Sequence, residues 1–377
     1  MITNILLTDM KHYFLLFILL LVIITIEGCT EELHPETNGT NSPVLNEGEL
    51  TKAVLDLSVN TFAVEAQAET RASIPSNIPE NETSEEKEVH NIWVFQYDAV
   101  TKELLIKPRY YTITDQIMLQ DLPVYLKAGI PSFVYVVTNT GYDNWANDDT
   151  DTSWQKFKNL EQLKKQTLPT AFPLRSIDKV SIPMVGASEE VEVTTGITVT
   201  VPVTRMYAKL KVKVEMLKAE MKLNNVNVRQ IPNICRIETF AGDGNGEPMN
   251  AVPFPDGTTF SSIAFAASDL EKSEDKEWAV FYVPENLQGE IENQGGNKSD
   301  AAPTNALVVD VTAEIGGEKY LYAAYPGGNS LNNFNIQRNQ VYRMTLTITG
   351  EKGQNNPSSN CFVVKPVSYT HLRAHET

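Results

Sequence analysis

Residues 53–60 read AVLDLSVN, and the alternation of apolar and polar residues in this segment indicates the fold class. The apolar residues Ala53, Leu55, Leu57 and Val59 fall on one face of an extended chain, and polar residues fall on the other. A period of two residues predicts a strand with one buried face. Strand-like segments also lie at 91–97, 133–137, 197–201, 210–214, 278–283, 306–313, 319–324 and 342–348. Many short strands and scarce helices predict an all-β chain of tandem β-sandwich domains.

Three segments sharpen this prediction. Residues 91–97 (NIWVFQY) are apolar on nearly both faces, which fits a central strand that is covered on each side. Residues 316–317 (GG) separate two strand patterns and predict a hairpin. One short helix is predicted in the first domain, over about residues 154–168, because its apolar residues are spaced to share one face.

Composition limits the classes of function. The chain has 377 residues, with 31 Lys+Arg against 48 Asp+Glu and a formal net charge of −17. Nucleic-acid binding depends on phosphate neutralisation by Lys and Arg, so this balance argues against it. Hydrophobic residues make up 42% of the chain, which excludes wholesale disorder.

We predict domains at 51–205 and 206–355, joined near Arg205, with an exposed and cleavable loop at 66–89.

Residues 1–28 are predicted to be a signal peptide, with Met10 as the expected start. Phe14–Ile26 is apolar apart from Thr25, but as a helix it would rise only ~20 Å against a hydrocarbon core of ~30 Å. The run ends in Cys29, in a stretch that resembles a bacterial lipobox, so Cys29 is expected to carry lipid such as palmitate. An ordinary secretion signal is the alternative. Residues 29–50 are polar and are predicted to be a flexible tether.

The other end of the chain also lies outside the predicted fold. Residues 367–377 (VSYTHLRAHET) back-translate in one frame to a transposase mosaic end followed by a sequencing adapter. We interpret them as an artefact, and residues 356–366 as the start of a missing C-terminal segment. His371 and His375 are therefore not candidates for metal binding.

Few interior residues are suited to catalysis. The chain has three Cys and five His, and removal of both ends leaves only His34 and His90. A nucleophilic triad needs a histidine base beside Ser or Cys, and a metal cluster needs several ligands at short spacing. We therefore expect a protein that is not an enzyme and that holds no metal and no cofactor.

Three features leave alternatives open. The Gly-rich stretch 242–246 (GDGNG) could bind calcium or form a surface turn, and the turn is favoured. Cys235 could be a buried thiol or could pair with Cys361, and the thiol is favoured. Exposed aromatic residues could line a sugar platform, although core packing or loop anchoring is the safer expectation: they are Tyr110, Tyr111, Tyr142 and Trp145.

The ordered set of segments resembles the fimbrillins of Bacteroidales. The matching pieces are Cys29, strand 54–60, TRA at 70–72, strand 92–97, VVTNTG at 136–141, IPMVG at 182–186, TRMYAK at 204–209 and the closing segment 338–350. Acidic residues directly after Cys29 resemble the surface-export signal of Bacteroidota lipoproteins. The resemblance implies two sandwiches of transthyretin-like topology. It also implies a fimbrial (pilus) structural or tip subunit for surface adhesion, made as a lipid-anchored precursor at the outer membrane and cell surface.

The resemblance further implies an assembly mechanism. A trypsin-like surface protease would cleave after Arg71 and release the strand that carries Val54, Leu55, Leu57 and Val59. A C-terminal strand of another fimbrial subunit would then fill the vacated groove by donor-strand exchange. The alternative is a monomeric surface lipoprotein that binds glycans or host ligands, in which Arg71 is merely an exposed arginine.

Overall fold

The computed structural model describes residues 50–64, 82–113, 120–141, 153–169, 174–178, 181–238, 250–273, 276–292, 298–329, 331–348, 361–363 and 366–368. Within these ranges the regular secondary structure is nearly all β-strand, as the sequence predicted. The expectations for Cys29 and Arg71 fall on residues outside them.

The first part of the described chain forms an eight-stranded sheet. Its strands are β1 (Leu50–Val59), β3 (Asn91–Asp98), β4 (Arg109–Thr112), β5 (Leu122–Lys127), β6 (Pro131–Thr138), β9 (Met184–Ala187), β10 (Val191–Glu192) and β11 (Thr198–Arg205). In the sheet they follow the order β4-β3-β6-β9-β11-β1-β5, and β10 pairs with β6.

This sheet folds over its own hydrophobic core. Buried side chains of β3, β6 and β9 share one cluster with those of β1, β5 and β11. Strand β11 connects the two layers, because it runs parallel to β1 up to Val203 and antiparallel to β9 from Val203 to Arg205. The two halves of the sheet therefore form a sandwich, which we call the first sandwich.

A second sandwich is made by two further sheets. Their strands are β2 (Ala63–Val64), β8 (Leu174–Arg175), β12 (Tyr207–Met216), β13 (Met221–Pro232), β15 (Phe260–Ala266), β16 (Trp278–Pro284), β17 (Val308–Ile315), β18 (Glu318–Ala324), β19 (Gln340–Ile348), β20 (Cys361–Val363) and β21 (Pro366–Ser368). One sheet has the order β2-β19-β12-β16-β8 with β21 on β19, and the other has the order β15-β13-β17-β18-β20. Side chains of both sheets share one core.

Both sandwiches place an early strand beside a late one. In the first sandwich β1 runs parallel to β11, and in the second β12 runs parallel to β19. Parallel neighbours need a long crossover connection, which the intervening strands supply in each case. Strands β1 and β12 therefore each lie in the interior of a sheet, with a hydrogen-bonded neighbour on both sides.

Strand β3 is buried on both faces, as its sequence predicted. One face supplies the core of the first sandwich. The other carries Trp93, Phe95 and Tyr97, which lie in a second cluster together with Val280 and Tyr282 of β16. This cluster packs the first sandwich against the outer face of the second, and it explains why β3 lacks a polar face.

The predicted helix over residues 154–168 is wrong in its extent. The segment instead forms a 3-10 turn at Ser153–Phe157, an α-helix α1 at Leu160–Lys164 and a strand β7 at Thr167–Pro169, which pairs with β14 (Ile234–Arg236). Asn159 interrupts the helix, because its extended backbone (φ −142°) lets its side chain accept a hydrogen bond from the Gln162 N–H.

The remaining elements are short. They are α2 (Ala267–Leu270) and 3-10 turns at Glu85–Lys87 and Lys298–Ala301. The hairpin predicted at Gly316 and Gly317 is confirmed, since both residues have positive φ (61° and 85°) between β17 and β18. Among the described residues, no helix has the length and apolar character needed to cross a membrane.

Candidate functional site

The four residues predicted to form the releasable strand all lie in β1. Leu55 and Leu57 are buried in the core of the first sandwich, whereas Val54 and Val59 are half-buried. Ala53 is also fully buried, so the inward face consists of residues 53, 55 and 57. The alternation in the sequence therefore correctly predicts which side chains of the strand face the core.

Strand β1 lies between β11 and β5. Its register against parallel β11 runs from Val54↔Thr198 to Val59↔Val203, and its register against antiparallel β5 runs from Leu50↔Lys127 to Leu55↔Leu122. Strand β5 ends the strand order, and β1 is the only strand of the described sheet that pairs with it. The Gln96 side chain of β3 adds two hydrogen bonds to the main chain of Lys127 in β5.

Beyond β1 the chain crosses to the second sandwich. The carbonyl of Asn60 accepts a hydrogen bond of 2.7 Å from Nη1 of Arg205, and the carbonyl of Thr61 accepts one of 2.8 Å from the Asn339 side chain. Strand β2 then pairs with β19. The end of β1 is therefore attached to residues at the boundary between the two sandwiches.

Arg205 is the centre of this boundary. Its side chain has no exposed surface, and its Cζ lies 4.2 Å from the centroid of the Phe62 ring. The guanidinium also donates to the Glu86 carbonyl (Nε–O, 2.8 Å) and to the side-chain oxygen of Asn339 (Nη1–Oδ1, 3.2 Å), and it lies 3.4 Å from Oε1 of Glu82. Burial lowers the pKa of Arg205, and the Glu82 and Glu86 carboxylates oppose this shift.

Glu86 is fully buried and holds a second cation in place. Its Oε1 lies 2.8 Å from Nζ of Lys209 and accepts a hydrogen bond of 2.5 Å from the Tyr282 hydroxyl. Its Oε2 accepts one of 3.0 Å from the Thr83 N–H. The predicted exposure of loop 66–89 is therefore wrong for Glu86, because a carboxylate that finds a cation and two donors can be buried.

Glu82 binds both the end of β1 and a lysine. Its Oε1 accepts a hydrogen bond of 2.5 Å from the Phe62 N–H, and its Oε2 lies 2.8 Å from Nζ of Lys87. Burial raises the pKa of this carboxyl, but the hydrogen bonds from Lys87 and Phe62 and the nearby positive charges outweigh burial. The net pKa lies below the ordinary value. We call the group formed by Asn60–Phe62, Glu82, Glu86, Arg205, Lys209, Tyr282 and Asn339 the junction cluster.

Sequence reasoning identified Arg205 only as the place where two domains join. The signal that could have found its role is its position in β11, where Val199, Val201, Val203 and Arg205 alternate in phase and all are buried. An arginine at an inward position of a strand implies buried partners. Those partners come from distant segments, so the pattern around position 205 does not indicate which residues they are.

The other candidates are distributed as follows. Tyr110 packs against Trp93 (ring centroids 5.2 Å apart), and half-buried Tyr111 packs against the core of the first sandwich, so neither forms an exposed platform.

Cys235 is a buried free thiol, as favoured, and burial raises its pKa to about 12. His90 lies 3.4 Å from a carboxylate oxygen of Glu88. The positions outside the described residues are His34, Tyr142, Trp145 and 242–246.

No group of three or more His, Cys, Asp or Glu side chains that could hold a metal ion occurs within the described ranges. The charged groups of the junction cluster are instead bound to one another or to the main chain. The site consists of a strand and the contacts that anchor its end.

Comparison with known proteins adds the following similarities. A family model described as a domain of unknown function, DUF4906, matches residues 281–346. No curated protein sequence matches the chain. The chain is similar in structure to the tip fimbrial protein Mfa3 from Porphyromonas gingivalis with a C-terminal truncation, at 15% identity and a TM-score of 0.48. That match covers 80% of this chain and 96% of Mfa3.

Two other solved structures are similar. The fimbrial anchor protein Mfa2 from Porphyromonas gingivalis has 13% identity and a TM-score of 0.36, and the match covers 83% of this chain and 95% of Mfa2. A fimbrial assembly protein from Parabacteroides distasonis has 14% identity and a TM-score of 0.42, with 80% and 92% covered. All three are described as fimbrial proteins, and their source organisms belong to the Bacteroidales, the group that the sequence resemblance indicated.

Proposed function

We propose that this chain is a fimbrial subunit, of the stalk or the tip, that assembles by replacement of strand β1 and serves adhesion at the cell surface. It is exported as a lipoprotein precursor, anchored in the outer membrane through Cys29. A trypsin-like protease cleaves after Arg71, and other fimbrial subunits are the partners. This function would make surface filaments from a folded, membrane-bound precursor.

The observation that carries the proposal is the position of β1. It lies between β11 and β5 and fills the core through Leu55 and Leu57, while its chain continues toward the segment that contains Arg71. Loss of β1 would leave unpaired N–H and C=O groups on two strands and an open row of apolar positions. Such a slot has the shape and the hydrogen-bonding groups to accept another extended strand.

The energetics favour exchange over simple loss of the strand. Full burial of a leucine side chain contributes about 2 kcal/mol, and Leu55 and Leu57 are both buried. The main-chain hydrogen bonds to β5 and β11 would also be broken. Cleavage alone therefore leaves β1 bound in the slot, and a competing strand with the same apolar period is needed to displace it.

A strand supplied by the next subunit produces a head-to-tail contact. The donor segment and the slot are different surfaces, so each added subunit leaves a new free end and the assembly does not close. The product is a filament, and the lipid on Cys29 retains the precursor at the membrane until the chain is cut.

Limited trypsin treatment tests this proposal. The cut site is read by mass spectrometry, and the nicked chain is mixed with a labelled peptide of residues 50–64 (LTKAVLDLSVNTFAV). We expect cleavage after Arg71 and capture of the peptide by the nicked chain but not by the intact one. The controls are Arg71→Gln in the protein and a peptide in which residues 55 and 57 are serine.

The result that would contradict the proposal is a chain that is cut after Arg71 and never captures the peptide. A nicked protein that keeps its own strand and stays monomeric with partner subunits present would support the alternative, a monomeric surface lipoprotein.

A further inference from the structure

We propose that the junction-cluster residues other than 60–62 form a socket for the three residues that follow β1, and that this socket selects a main-chain carbonyl followed two positions later by an aromatic ring. In the intact chain the occupants are Asn60, Thr61 and Phe62. The part of this inference that concerns a replacing strand rests on the proposed function, whereas the part that concerns the intact chain does not.

Each of the three residues is held by a different partner. Nη1 of Arg205 binds the Asn60 carbonyl, and the Asn339 side chain binds the Thr61 carbonyl. Phe62 donates its N–H to Glu82. Main-chain contacts of this kind fix the register of an extended segment, and they place no demand on the side chains of residues 60 and 61.

The ring of Phe62 is the side chain that the socket recognises. It is 5% exposed, with Cζ of Arg205 4.2 Å and Nζ of Lys209 5.8 Å from its centroid. A cation over an aromatic face is attracted by the ring quadrupole, and this attraction is stronger when both groups are buried. An aliphatic side chain fills a similar space but has no quadrupole, so it is expected to bind less tightly.

The socket is held in place by contacts that do not involve its occupant. Arg205 is bound to the Glu86 carbonyl and to the Asn339 side chain, and Lys209 is bound to the Glu86 carboxylate. Tyr282 donates to the same carboxylate. The two cations therefore keep their positions if residues 60–62 leave, and a second segment meets the same arrangement.

The geometry also defines the chemistry of a segment that could replace β1. A replacing segment needs apolar residues at the positions that Ala53, Leu55 and Leu57 now hold, and an aromatic residue five positions after the last of them. The Nη2 group of Arg205 has no hydrogen-bond acceptor among the described residues. The apolar and aromatic positions define the incoming partner as an extended peptide that ends in an aromatic anchor.

Hydrogen exchange in the intact full-length chain tests the socket without any cleavage. We expect Phe62→Leu to raise the exchange rate of the β1 amides on the order of tenfold, because the strand end loses its cation–π contact. Arg205→Lys, which keeps the charge but loses the fork of donors, should have the same effect. Amides of β13, in the second sandwich, should exchange at the wild-type rate.

The matched control is Phe254→Leu, which changes a half-buried aromatic residue packed on Phe260 in the second sandwich. It should leave the exchange of β1 unchanged. The inference is overturned if Phe62→Leu leaves β1 exchange within about twofold of wild type, or if β13 accelerates as much as β1.

A peptide assay tests the replacing strand. The nicked chain is offered the labelled peptide of residues 50–64 and the same peptide with leucine at position 62, and we expect about tenfold weaker capture of the second. Equal capture of the two peptides overturns the aromatic preference. If the nicked chain captures neither peptide, the proposed function fails, whereas the exchange result in the intact chain still decides whether the socket holds β1.

Discussion

Arg205 lies over the ring of Phe62, with its guanidinium carbon 4.2 Å from the ring centroid. The parallel register of β1 and β11 explains their proximity, because Val59 lies opposite Val203 and each chain then continues a few residues in the same direction. The contact joins the segment that follows β1 to the last residue of β11, and the junction cluster is built around it.

Glu86→Ala should destabilise the protein by about 3–5 kcal/mol, because Lys209 would remain buried without its carboxylate. Denaturant unfolding at neutral pH measures the loss. The neighbouring exposed residue provides the control, and Glu85→Ala should change the unfolding free energy by less than ~0.5 kcal/mol. Equal effects of the two substitutions would show that the buried ion pair contributes nothing specific.

Stability should decrease in acid partly through Glu82. The pKa of its carboxyl is lower in the folded state, so its contribution is complete above the ordinary glutamate pKa of about 4.3 and is lost as the pH falls through the folded-state value. Unfolding free energies measured between neutral pH and acid should therefore fall less steeply for Glu82→Gln than for wild type. Glu271→Gln, an exposed charge deletion, should follow the wild-type curve, and an unchanged slope for Glu82→Gln would contradict the prediction.

Gly186→Ala should prevent β9 from packing against β11. A Cβ at this position would lie 1.9 Å from the carbonyl oxygen of Pro202, which is main chain and cannot rotate away. We expect a loss of at least ~3 kcal/mol of unfolding free energy. Gly141→Ala is the control, since its Cβ would meet no atom within 4 Å and only its positive φ (71°) costs about 1–2 kcal/mol. A smaller loss for Gly186→Ala than for Gly141→Ala would refute the close approach.

The Cys235 thiol should resist alkylation in the native protein. It is buried, and its pKa is raised to about 12, so almost no thiolate is present at pH 8. Iodoacetamide treatment followed by peptide mapping should leave the Cys235 peptide unmodified until denaturant is added. Fast labelling under native conditions would show that the strand pair β7–β14 opens readily.

The first strand illustrates how much the sequence predicts. Alternation at residues 53–59 predicted both the strand and its buried face, because a period of two assigns side chains to faces whatever the neighbouring strands are. The same reasoning predicted the doubly covered β3 and the hairpin at Gly316–Gly317. These features depend only on the local pattern of apolar residues and on the backbone conformations that glycine permits. A short segment of sequence is therefore enough to predict them.

The helix over 154–168 shows where local reasoning fails. Its apolar spacing predicted one helix, but Asn159 caps a new start and the segment ends as strand β7, paired with residues 234–236. A strand pairing with a distant partner outweighs weak helix propensity, and that partner cannot be read from the segment itself.

Local sequence pattern alone predicted an all-β chain, a strand of two-residue period at 53–59, and a charged residue, Arg205, at the join between two domains. The contacts of this guanidinium with Phe62, Glu86 and Asn339 arise only in the tertiary fold. The reason is that burial of a guanidinium requires several partners at once, and here they come from segments far apart in the chain, which become neighbours only when both sandwiches have formed.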